Sequence, residues 1–292
     1  MNKTICQIVD SSGSLPRDFI KHYNISEVPF YFKFESTDYY RENVEYEAAE
    51  FYNHMKTYPD DVPKTAAPNI HDWLTVFEEQ YVRGFKNFIV TTISSKLSAS
   101  FQTAISAKKE FEERNNDVHI EVINSNTCAC GQAALEIVIA KMIEDGRDFE
   151  NIVETIHEMV KTNINSLFGV NSLTYMRAGG RIGGATALLG KLINIKPVCE
   201  FVDGVVHPIK ATRGRKKSLT TMVDIAVSRI KDINKTIIIV QNAKCQEDAE
   251  YLCNYLREKT NNSYQIFKSN LGITVGAHSG PGAIGIGFME QP

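Results

Sequence analysis

Six residues of this 292-residue chain stand out as able to do chemistry: the hydroxyls of Thr65, Ser95 and Ser98, the imidazole of His278, and the guanidinium groups of Arg181 and Arg213. His278 lies in Leu271–Phe288, a glycine-rich stretch without Asp, Glu, Lys or Arg, and is followed by Ser279-Gly280-Pro281-Gly282. Alternating Ile, Val and Phe predict two short buried strands there, with glycines allowing close backbone approach and the histidine held on a rigid turn. A satisfied packing histidine is the plainer reading, and a site histidine the sharper one. Thr65 precedes Ala66-Ala67-Pro68 and a helix that Asn69 can cap, while Ser98 opens the helix after another strand. Both hydroxyls are expected beside unpaired N–H groups at a helix N-terminus, a ready anion site, although simple capping explains each alone.

The cations point the same way. Arg213-Gly-Arg-Lys-Lys217, with Lys210 nearby, is the one basic cluster, and basic residues at a helix start oppose the macrodipole by a few tenths of a kcal/mol. An anionic partner would offset that cost, whereas solvation alone would leave it standing. Arg181 is uncrowded beside Gly179 and Gly180 and is a second candidate for an anion. A hydrolase or acyltransferase using His278 and a nearby Ser is the alternative to binding. That chemistry needs an acid to orient the histidine, and the sequence identifies none.

Other classes fall away. Gly280-Pro-Gly282-Ala-Ile-Gly285 formally matches a dinucleotide fingerprint, but only seven residues follow it, with no room for the required helix and distant acid. Cys128-Ala-Cys130 has no second cysteine pair at metal spacing, so neither metal nor cofactor is expected and buried reduced thiols are. Net charge −3 argues against general nucleic-acid binding. With 43% hydrophobic and 23% charged residues the composition is that of an ordinary soluble protein. No apolar run approaches the ~20 residues of a membrane span, and the first residues do not read as a secretory signal. The expectation is a cytoplasmic protein.

The elements that must position these residues follow from periodicity. Strand, polar loop and helix recur three times, with strands at 4–9, 87–93 and 118–123 and helices from about 16, 98 and 131. That rhythm predicts a parallel sheet, whose ligands gather beyond the carboxyl ends of the strands, where Ser11, Ser95, Ser98, Ser125 and Thr127 lie. A capped amphipathic helix over 148–160 precedes a change of pattern. A strand at 165–170, a hairpin over 195–210 turning at Asp203-Gly204, helices near 215–230 and 246–258, and strands at 236–240 and 264–268 predict a mixed sheet. The fold expected is α/β with two domains: residues 1–164 around a parallel sheet, and residues 165–292 of α+β type with a mixed sheet. A ligand is expected between them.

Taken together, Val9-Asp10-Ser11, Lys64-Thr-Ala-Ala-Pro68, Ser94-Ser-Lys-Leu-Ser-Ala-Ser-Phe-Gln-Thr-Ala104, Leu173–Ile182, Lys191–Pro197, Arg213–Lys217 and His278-Ser-Gly-Pro-Gly282 make the chain similar to the DegV family of bacterial fatty-acid-binding proteins. The resemblance implies one long-chain fatty acid held between two domains, with Thr65 and Ser98 on the carboxylate and His278 and Ser95 in the same polar group. It implies that Arg181 and Arg213 lie near the carboxyl end, facing a partner or a transferred phosphate. It also implies a carrier without catalytic residues, serving a fatty acid kinase that makes an acyl phosphate for phospholipid synthesis, with transient contact at a membrane surface. Two departures stand out: Thr-Ala-Ala-Pro replaces the usual Thr-Ser-Gln-Pro, and Asn124-Ser125, followed by Cys-Ala-Cys, replaces the usual Asp-Ser.

Overall fold

The computed structural model describes residues 4–188, 195–261 and 264–292; the 191–194 part of the Lys191–Pro197 motif lies outside them. A parallel sheet has the spatial order Ser26–Val28, Ile5–Asp10, Asn87–Thr92, His119–Asn124. Its strands are buried on both faces, so they read as unbroken apolar runs rather than alternating ones. Cys6, Ile8, Phe88 and Val90 pack on one face against the helices Ile70–Val82 and Ser100–Arg114, with Trp73, Phe77 and Phe111 among the buried groups. Ile5, Val9, Ile89 and Ile123 face the other way, onto the helix Ala129–Glu144.

That helix has a second sheet on its far side. Six strands run in the order Val205–Arg213, Ile195–Val202, Asn165–Gly169, Ile284–Glu290, Thr236–Asn242, Phe267–Asn270. All neighbours are antiparallel except the last pair. Ile237, Ile239 and Met289 pack onto the shared helix, while Leu167, Ile238, Val240 and Phe288 face the helices Arg215–Arg229 and Gln246–Thr260. The result is five layers with Ala129–Glu144 at the centre. Thirteen of its sixteen residues are buried, which explains a sequence that is apolar all round. Alanines and Gly131 on this helix, and glycines opposite, let backbones approach. A Cβ at Gly287 would strike the carbonyl of Cys130. The parallel and mixed sheets are those expected from the sequence, and the chain passes from one to the other after the helix Phe149–Thr162, at Asn165.

A smaller layer covers the gap between the sheets. Strands Tyr31–Lys33, Tyr40–Arg41 and Lys64–Ala66 form a three-stranded antiparallel sheet, backed by the helix Ala48–Thr57. Phe32, Phe34 and Phe51 form an edge-to-face and stacked cluster in its core.

Three local expectations change. The 271–288 stretch is not two strands: Ile273–Ser279 is a helix and only Ile284–Glu290 is a strand. The helix begins at Gly272, which has no side chain to cap it; the buried carboxylate of Glu42 instead accepts from the N–H groups of Ile273 and Thr274 and from the Thr274 hydroxyl. A cap supplied from 231 residues away leaves no local signal. Thr65 is not at a helix N-terminus but in a strand, opposite Phe32, four residues short of the Asn69 capping box. The last short strand is Phe267–Asn270 rather than 264–268.

Because the Gly287–Cys130 contact joins the mixed sheet to the central helix, Gly287→Val should overpack that seam and destabilise the protein by about 1–3 kcal/mol. Urea unfolding measures this, and an unchanged midpoint would contradict the proposed close seam.

Candidate functional site

A cavity of about 220 Å³ opens where the layers meet, beyond the carboxyl ends of the parallel strands. Its walls come from several elements. The loop after Asn87–Thr92 contributes Ile93, Leu97 and Ser98, and the start of the central helix contributes Cys128, Ala129 and Cys130. The mixed sheet supplies Phe168, Phe201, Val206 and Gln241, and the helix Ile273–Ser279 supplies Thr274, Val275, His278 and Ser279. Thr65 reaches in from the small sheet and Arg181 from the glycine-flanked segment after the helix Thr174–Ala178. Most of the wall is apolar, with few polar atoms, as in sites for small hydrophobic molecules.

The polar end is built around His278. Its Nε2 lies 2.8 Å from Thr65 Oγ1, joining residues 213 positions apart. Its Nδ1 is buried against Gly179 without a hydrogen-bond partner, and a Cβ at position 179 would collide with it. This explains the first glycine of Ala-Gly-Gly-Arg: it gives the ring room. Arg181 donates from Nε to the Leu97 carbonyl (3.1 Å) and from Nη1 to the Gly179 carbonyl (2.5 Å), which fixes the guanidinium beside the cavity. Loss of hydration lowers His278 from 6.5 to about 4, and the neighbouring Arg181 charge adds to this.

The loops that carry these groups are tied to buried carboxylates. Asp10, at the end of its strand, accepts from Ile93 N–H (2.9 Å), Ser100 Oγ (2.7 Å), Ser12 Oγ (2.5 Å) and Gln132 Nε2 (2.9 Å). It thereby sets the Ile93–Ser100 turn, in which Ser98 Oγ accepts from Ser100 N–H at 3.2 Å. Ser11 Oγ accepts from Phe30 N–H and donates to Glu42 at 2.8 Å, linking the parallel sheet, the small layer and the His278 helix. Burial raises Asp10, and pushes Glu42 up to about 7, against the pull of these hydrogen bonds.

Of the six residues singled out from the sequence, Thr65, Ser98, Arg181 and His278 line the one cavity, and Ser95 and Arg213 do not. Ser95 holds its loop, donating from its N–H to Asn124 Oδ1 and accepting from Asn124 Nδ2. Arg213 is exposed at the end of its strand, opposite Ile195. The cavity also takes Gln241, which the sequence does not single out, and Ser279, which the sequence marks only as the neighbour of His278. A lone Gln after the apolar run Thr236–Val240 was the available signal for the first, and adjacency to His278 for the second. Among the described residues no cluster of three or more His, Cys, Asp or Glu could hold a metal ion, and no helix is long and apolar enough to cross a membrane.

At neutral pH His278 is uncharged, so its imidazole nitrogen shifts, followed by NMR, should stay flat from pH 8 to about 5 and move only near 4. The unfolded chain takes up this proton near 6.5, so His278 contributes stability that is present above 6.5 and lost as pH falls toward 4. A titration midpoint near 6.5 in the folded protein would contradict the dry, Arg181-flanked setting.

The family model for DegV, described as an uncharacterised protein family, matches residues 5–291. A DegV domain-containing protein of Staphylococcus aureus is 29% identical over 287 residues, 98% of both chains. Among solved structures, a fatty acid (stearic acid)-binding protein from Eubacterium ventriosum superposes with TM-score 0.91 at 28% identity, covering 98% of each chain. DegV from Bacillus subtilis, a fatty acid binding protein, superposes with TM-score 0.85 at 25% identity, covering 99% of each.

Proposed function

Because this chain belongs to the DegV family, we propose that it binds one long-chain fatty acid and presents the carboxylate to a fatty acid kinase for acyl phosphate formation. The observation that carries the reading is the cavity itself: a mostly apolar slot whose polar end gathers Thr65, Ser98, His278 and Arg181. The fatty acids bound by the Eubacterium ventriosum and Bacillus subtilis proteins support it.

The energetics suit a carrier. About 14 buried methylenes at ~0.8 kcal/mol each give roughly 11 kcal/mol of gross burial. Ordering the chain and the protein removes several of these, which still permits tight retention. With its proton on Nε2, neutral His278 donates to Thr65 Oγ1, and the Thr65 hydroxyl proton is free for a carboxylate. Ser98 offers a second hydroxyl. Such neutral donors hold an acid without locking it in an ion pair, so its oxygens stay available to an incoming phosphoryl group. Arg181, beside the cavity, and exposed Arg213 are the cations we assign to the partner-facing side, where they would meet phosphate oxygens. The hydrolase alternative has less behind it: His278 Nδ1, which an orienting acid would have to engage, has no hydrogen-bond partner.

Organic extraction or native mass spectrometry of purified protein should show one fatty acid per chain. Reproducible absence, even after incubation with one, would sink the reading. Thr65→Ala and Ser98→Ala should each weaken fatty acid binding about tenfold, as expected for losing one hydrogen bond to a charged group. Titration calorimetry reads this, and unchanged affinity in both removes the carboxylate assignment. Arg213→Ala should keep its fatty acid yet slow acyl phosphate formation by the kinase; a normal rate would strip that residue of its role.

A further inference from the structure

The hairpin Ile195–Arg213 reaches beyond the sheet it belongs to. The strand Asn165–Gly169 pairs with it only from Val198 to Glu200. Past Glu200 its two arms pair with each other alone, Phe201 with Val206 and Val202 with Val205. A two-stranded ribbon without a further neighbour has little stability of its own. The overhang also has a defined root. Glu200 is ion-paired with Arg229 at 2.6 Å, and the outer arm is bulged between Pro208 and Lys210, where a strand bends.

The overhang lies between the cavity and solvent. Phe201 and Val206 line the cavity, as does Leu97 of the loop on which the ribbon rests. Val202 and Asp203 are exposed, as are Ser95 and Lys96 of that loop. The tip is held down at Gly204, whose carbonyl accepts from the buried Ser94 hydroxyl at 2.8 Å, and a Cβ at Gly204 would strike Ser94 Oγ. Ser94 itself is well anchored: its N–H donates to the Thr127 carbonyl (2.8 Å), and its carbonyl accepts from the N–H groups of Leu97 (2.9 Å) and Ser98 (3.2 Å). Phe201 adds a ring stacked on Phe168, with centroids 5.3 Å apart.

Resting on the fatty-acid reading above, we propose that residues 201–206 form a strap over the cavity, latched by Ser94 to Gly204, which swings about its root at Glu200 and the bulge to admit and release the acyl chain. The latch suits repeated opening, because a neutral hydrogen bond and a ring contact are exchanged for contacts with water and with the passing chain. Val202, 41% exposed on the strap, gives an arriving chain apolar surface outside the cavity. Opening is an equilibrium of the protein whether loaded or empty. A weaker latch therefore speeds entry and exit together and leaves their ratio, the affinity, unchanged.

Stopped-flow mixing of a fluorescent fatty acid with the delipidated full-length protein gives both rates. Ser94→Ala should raise association and dissociation together, each about fivefold, as expected for losing one neutral hydrogen bond. Unchanged rates overturn the proposal. So does faster dissociation alone, which marks a damaged site rather than a freed strap. Ser94 Oγ also accepts from the Lys96 N–H at 3.2 Å, so a second variant compares one chain with itself. It carries Ser94→Cys and Gly204→Cys, where a Cβ at 204 meets the residue 94 side chain. Oxidised with diamide, the linked strap should exchange its fatty acid about tenfold or more slowly than the same protein reduced with dithiothreitol. Equal exchange in the linked and reduced forms overturns the strap. If one variant fails to fold, or the two cysteines do not join, the other decides alone. Failure of the wild-type protein to bind the probe at all overturns the fatty-acid reading itself, whereas binding at rates indifferent to the latch overturns only the strap.

Discussion

The helix Ala129–Glu144 runs between two sheets, and most other features follow from that. A helix is naturally wet on one side; making it dry on every side requires apolar or small residues all round and a partner surface on each flank. The parallel sheet supplies one flank and Ile237, Ile239 and Met289 of the mixed sheet the other. The two halves of the chain therefore share a core rather than merely touching. The cavity forms where this shared helix begins, at Cys128–Cys130, with residues of the mixed sheet and Thr65 of the small antiparallel sheet among its walls.

Burial on this scale forces polar groups into strict accounting. Asp10 and Glu42 are almost wholly enclosed, and each gathers several N–H or hydroxyl donors from separate segments. Neither is part of the cavity lining, yet between them they shape the Ser98 loop and cap the helix carrying His278. A carboxylate acceptor used this way acts as a rivet between layers: remove Asp10, and Ser12, the Ile93–Ser100 turn and Gln132 lose their common partner. Three residues that line the cavity carry a buried atom without a hydrogen-bond partner, His278 Nδ1, Gln241 Oε1 and Ser279 Oγ, as do Gln7, Thr91 and Glu136 elsewhere among the described residues.

The setting of His278 bears on what kind of protein this is. Desolvation and a nearby arginine favour the neutral ring, whereas a catalytic base is stabilised in its charged form by an acid behind it. A neutral imidazole holding a threonine hydroxyl is suited to arranging donors around a guest. It is poorly suited to moving protons, which accords with the proposed carrier role.

Much of this was legible in the residues. The parallel half shows as strand–loop–helix repeats, the Asp203-Gly204 hairpin turn has both residues at positive φ as its sequence demands, and the Asn69 cap forms with Asp72 as its partner. These features rest on neighbours within a few positions, so the local sequence determines them. Thr65, Ser98, Arg181 and His278 could be singled out by type and by motif, but not their meeting, since Thr65 and His278 are joined only by folding. The tertiary structure alone decided that Leu271–Phe288 begins as a helix, because its cap comes from Glu42. It alone decided that Gln241, unremarkable at the end of an apolar strand, donates to the carbonyls of Gly13 and Ser14 in the first loop. In both cases the deciding partner is a distant group brought close by burial, and no local pattern of side chains encodes that distance.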